Sequence, residues 1–193
     1  NNLILTPTHN YFSKFDNFYL LVVSSLACGF LLGICHSNWG FSVANSQMVA
    51  GIVEYSKGHP WNACIMKAWN IWDQIGAIFL VFGGHERTLS ILISGLMGGV
   101  YFLAFSTFIY ALCNNLLISG AFPFLMFFLD LDTDFGVTYP IQFMGSMHSH
   151  GVLGQGFAFL VLSLFCVKHY RVGGFLLGIL PAMHAVVGSL MCL

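Results

Sequence analysis

Apolar residues come in runs of about 20 along this chain, with the polar ones gathered in between, which is the spacing a helix needs to cross the hydrocarbon core of a bilayer. The first run covers residues 15–35 and closes on His36-Ser37-Asn38-Trp39-Gly40. Residues 40–60 then turn polar (Asn45, Ser46, Gln47, Glu54, Lys57) and end in Gly58-His59-Pro60, a turn signal whose proline leads into a helix, so this stretch reads as a loop. The second run, 62–82, carries Lys67 and Asp73. Ionisable groups at membrane depth are costly and face protein or water, so this helix is expected inside a packed bundle. After the hydrophilic corner Gly83-Gly84-His85-Glu86-Arg87-Thr88 comes the third run, 89–112, with Gly95, Gly98 and Gly99 on its early turns. Small residues there permit close helix contact.

Residues 113–130 are apolar but only 18 long, opened by Asn114-Asn115 and interrupted by Gly120 and Pro123. They read either as a short crossing or as a segment lying in the membrane interface. Asp130, Asp132 and Asp134 mark an acidic loop, and two more runs follow, 142–166 and 173–193, joined by the basic turn Lys168-His169-Tyr170-Arg171. The expected fold is therefore all-α, a polytopic transmembrane helix bundle in a single domain over 1–193, with five helices, or six if 113–130 crosses. With five, Lys14, Arg87, Lys168 and Arg171 share one side; with six, Lys57, Lys67, Lys168 and Arg171 do. Both divide the six cations four to two, so the excess of cations that marks a cytoplasmic-type face does not choose between them.

Composition agrees with a membrane reading. The chain is 58% hydrophobic and 7% charged, with mean hydropathy +0.82, and such residues cannot be sorted into a polar surface and a buried core. Its 193 residues leave no room for a soluble enzyme domain beside the bundle. Cys28, Cys35, Cys64, Cys113, Cys166 and Cys192 are scattered without CxxC spacing and read as small buried hydrophobes. Net charge is −1 with dispersed cations, which removes the electrostatic case for nucleic acid. Residues 1–16 lack a signal-peptide pattern and do not begin with Met, as expected of a processed chain or of one numbered from inside a longer protein.

Histidines near helix ends are the main candidates for chemistry. A buried neutral imidazole is a natural axial haem ligand, and His148, His150 and His184 lie in the last two runs while His36 and His85 close earlier ones. A bis-histidine haem needs two of them at one depth on facing helices. Hydrogen bonding to backbone or headgroups satisfies them equally well. Asp130, Asp132 and Asp134 with His148 and His150 could supply oxygen and imidazole to a metal, against the simpler reading of a solvated loop. Gly145-Ser146-Met147-His148-Ser149-His150 faintly resembles the Ser-Gly-His loop of lipid phosphatases, but the several cations that hold a phosphate are not placed around it.

Read in order, six short motifs resemble cytochrome c oxidase subunit III from its third helix onward. His36-Ser37 is similar to the family's helix end Tyr-His-Ser, and Gly58-His59-Pro60 with Asn62 to its Gly-x-His-Pro-x-Asn helix start. Gly84-His85-Glu86-Arg87 falls at the family's histidine-rich corner, and Gly99-Val100-Tyr101-Phe102 with Tyr110-Ala111 resembles its Gly-x-Tyr-Phe helix. His150-Gly151-Val152-Leu153-Gly154 resembles its His-Val-x-x-Gly, and His184-Ala185-Val186-Val187 its final Trp-His-Phe-Val-Asp. The departures are specific. The family's first two helices have no counterpart, residues 22–29 hold no acid where a buried glutamate is expected, Val187 stands for Asp, and His-x-x-His has contracted to His148-Ser149-His150.

The resemblance implies a divergent, multi-pass subunit of the mitochondrial inner membrane. It would be non-redox, with no cofactor of its own, haem a and copper being expected in partner subunits. It would pack beside catalytic subunit I and other oxidase subunits, hold phospholipids such as cardiolipin, and support proton uptake. His36, His59, His148, His150 and His184 would be structural motif residues, with no catalytic residue in the chain. Residues 113–130 look like an insertion into a loop of the family, which favours five crossings. Arg87, Lys168 and Arg171, with His85 at the corner, are then expected on one side to contact lipid headgroups. The alternatives are a haem b membrane anchor of another respiratory complex and a membrane lipid phosphatase.

Overall fold

Among the described residues two helices are long and apolar enough to cross a bilayer, Asn17–Cys35 and Glu86–Cys113. The computed structural model describes residues 10–35, 43–54, 56, 58–60, 69–128 and 150–193, with side chains placed for all of these but 10–16, 128 and 150–152. Among the described residues the fold is all-α, with no strand: α1 (Asn10–Cys35), α2 (Ala44–Val49), α3 (Ile71–Val81), α4 (Glu86–Cys113), α5 (Leu116–Phe128), α6 (His150–Cys166), α7 (Tyr170–Met183) and α8 (Ala185–Met191).

The axis of the molecule is α4, whose 28 residues extend about 42 Å. Its Met97, Val100, Phe102 and Ala104 are buried in the main core with Leu153, Leu160 and Leu180. Antiparallel to it runs α1: Gly33 meets Ser94 and Gly95, Gly29 meets Gly98, and the Ser25 hydroxyl donates to Ser106 Oγ at 2.7 Å. Steps of four residues keep Ser25, Gly29 and Gly33 on one face of α1. A Cβ at Gly29 would collide with the Gly98 carbonyl, so backbone meets backbone along this seam. Acyl chains are as apolar as leucine, and such close packing, with a buried hydroxyl pair, is what holds membrane helices together. The outer face of α1 stays apolar and exposed, with Leu20 at 67%, Val23 at 63% and Leu31 at 61%. That is a surface suited to lipid.

Asn114 ends α4 in the left-handed conformation (φ 49°), its N–H bonded to Tyr110 O at 2.9 Å, and Asn115 starts the next helix by accepting from the Ile118 N–H at 3.2 Å. The two asparagines thus make a helical hairpin, and α5 doubles back along α4. Phe122 packs on Phe105, while Phe124 and Phe127 pack on Phe102. With 13 residues, about 20 Å, α5 reaches only the middle of α4. Within residues 113–130, Leu116–Phe128 is therefore a half-length helix returning along α4.

As a result α6 runs parallel to α4. Gly156 abuts the Tyr101 ring, and the Phe159 ring meets Phe105 at 4.7 Å and Phe108 at 5.4 Å. Phe18 of α1 stacks on His169 (5.3 Å, 11°) and meets Tyr110 at 5.4 Å. One end of the bundle therefore gathers the early part of α1 and the C-terminal ends of α4 and α6. Arg87 lies 23 residues before Tyr110 in one unbroken helix, about 35 Å away. Arg87 and the Lys168–Arg171 turn therefore lie at opposite ends of the bundle.

Two of the expected helices differ in their described parts from unbroken runs. Among the described residues the second run is helical only from Ile71, because Asn70 is extended (φ −136°, ψ 131°). The last run breaks at His184 (φ −153°, ψ 102°), after which α8 folds back on α7 with Gly188 against the Leu180–Pro181 backbone and the Cys192 thiol donating to Leu177 O at 3.8 Å. The expected loop over 40–60 contains α2, which with Val43 buries Met48 and Ser46. Val43, Leu80, Leu89 and Ile93 make a second, smaller core where α2, α3 and α4 meet.

Candidate functional site

At one end of α4, the chain turns through Gly83 (φ +84°), with Gly84 N–H bonded to Phe79 O at 2.9 Å and Gly83 N–H to Leu80 O at 3.0 Å. This pair of bonds closes α3 in the manner that favours glycine. His85 then caps α4: its Nδ1 accepts the Arg87 N–H at 3.2 Å. Both side chains are exposed. At the other end α6 closes with the same two bonds, His169 N–H to Leu164 O at 2.9 Å and Lys168 N–H to Phe165 O at 3.0 Å, but with Lys168 in the left-handed position (φ 65°). Lys168, Tyr170 and Arg171 are exposed there. The four residues expected to bind lipid thus form two separate groups, one at each end of the bundle.

Between the ends, the start of α3 meets the end of α7. Asn70 Oδ1 accepts the Trp72 N–H at 2.8 Å, capping α3, while its Nδ2 donates to Met183 O at 2.8 Å, the carbonyl that ends α7. His184 accepts the Val187 N–H through Nδ1 at 3.2 Å and caps α8. Its Cβ lies so close over Gly154 that a side chain on that residue would collide with it. Trp72 stacks on Phe157 (5.6 Å, 22°), and Asp73, on the first turn of α3, is buried at 4% exposure. Helix ends leave four N–H or four C=O groups without intrahelical partners, and in an apolar interior side chains such as Asn70 and His184 must supply them. These helix ends were absent from the sequence-based expectations. The signals were Asn70 three residues before Asp73, a capping pattern, and Pro181 three residues before His184.

His85 and His184 use their rings alike. In both, Nδ1 is engaged in capping by a backbone N–H. His85 sits at the α3–α4 corner and His184 at mid-bundle, so they do not face each other at one depth. His59 is half-buried, with its N–H on Ser56 O at 3.0 Å. His150 begins α6, its side chain outside the described residues, as are His36, His148, Asp130, Asp132 and Asp134. Among the described residues no three His, Cys, Asp or Glu side chains converge as metal ligands. No protein-family model, no curated protein and no solved structure matches the chain.

Proposed function

We propose that this chain is a multi-pass, non-redox subunit of the respiratory terminal oxidase of the mitochondrial inner membrane, similar to cytochrome c oxidase subunit III. In that role it packs beside catalytic subunit I, holds phospholipid such as cardiolipin and supports proton uptake, while haem a and copper belong to partner subunits. The observation that carries this reading is the contact of Gly154 with His184. Two of the six motifs behind the resemblance, 30 positions apart, meet in space. Tyr101 packs on Gly156, and Tyr110 meets Phe18, so residues of a third motif also build the bundle. Capping and packing are what a scaffold subunit asks of such residues.

The lipid contacts divide between leaflets in this reading. His85 and Arg87 serve headgroups at one face, and Lys168 and Arg171 those at the other, where exposed cations pair with phosphate oxygens. The test is affinity purification of the tagged chain from its native membranes, followed by mass spectrometry and an absorption spectrum. Catalytic subunit I and haem a are expected in the complex, with every haem band intact after His148→Gln and His184→Gln together. Loss of one haem equivalent in the double variant would replace this reading with the haem b anchor. Phosphate release from phosphatidic acid by the isolated chain would replace it with the lipid phosphatase.

A further inference from the structure

No further inference is drawn: the strongest candidate, the outward face of α7 where exposed Gly174 and Gly178 have open space beside them, is a stripe of small residues, and nothing in the structure shows what covers it.

Discussion

Lys168 is the residue whose backbone and side chain ask for different things. At φ 65° its β-carbon crowds the following carbonyl, a strain of about 1–2 kcal/mol that glycine escapes. The same turn at the α3–α4 corner does use glycine, at Gly83. The lysine keeps an exposed cation beside Tyr170 and Arg171, so its strain is consistent with a surface role at that end. Lys168→Gly is expected to raise stability by about 0.5–1 kcal/mol, after allowing for the greater flexibility of unfolded glycine, in thermal melts of the purified protein. It should also lower the anionic phospholipid that co-purifies. A gain in stability with unchanged lipid would leave the turn without a role in lipid binding. Asn114, also left-handed, belongs to a residue type that tolerates this conformation, so Asn114→Ala is expected to destabilise by about 1 kcal/mol in the same melts.

At the scale of elements, the α1–α4 seam was legible and the helix ends were not. Gly95, Gly98 and Gly99 stand close together in an apolar run, and a glycine cluster there has few uses besides close approach of another helix. Which helix approaches was not written in that run; Gly29 and Gly33, four residues apart, supply the matching face. The start of α3 at Asn70 and the break at His184 were hidden because hydropathy continues across them, and a single polar residue in such a run reads equally well as buried in a continuous helix. For α2 the polar Asn45, Ser46 and Gln47 concealed a short helix whose burial depends on α3 and α4, a tertiary effect. Gly98→Val tests the seam. The added methyls have only the Gly29 and Gly33 backbones to push against, so the helices must separate, at a cost of about 1–3 kcal/mol. Ser25→Ala, which removes one interhelical hydrogen bond, is expected to cost only about 0.6 kcal/mol. If the two variants melt alike, backbone contact is not what joins α1 to α4.

For the whole molecule, the direction of α6 decides the topology. A chain whose return helix did not run back along α4 would start α6 at the end where α4 stops, and the two would be antiparallel. The observed pairs, Tyr101 with Gly156 and then Phe105 and Phe108 with Phe159, rise together along both helices, so α6 runs the same way as α4. The sequence could not give this, because 113–130 has the hydropathy of a crossing and the length of a loop, and the charge balance is four to two either way. The Asn114–Asn115 hairpin and the aromatic contacts of Phe122, Phe124 and Phe127 resolve it by laying α5 on α4. The consequence reaches both ends of the molecule. Glu86 begins α4 and Tyr170 begins α7 after α6 has ended beside Tyr110, so the two positions lie at opposite ends of a helix about 42 Å long, more than the roughly 30 Å of a hydrocarbon core. Single cysteines placed at 86 and at 170 in a cysteine-free chain are therefore expected to react with a membrane-impermeant maleimide from opposite sides of sealed vesicles. Labelling of both from the same side would show that α6 descends against α4, and the parallel pairing would have to be abandoned.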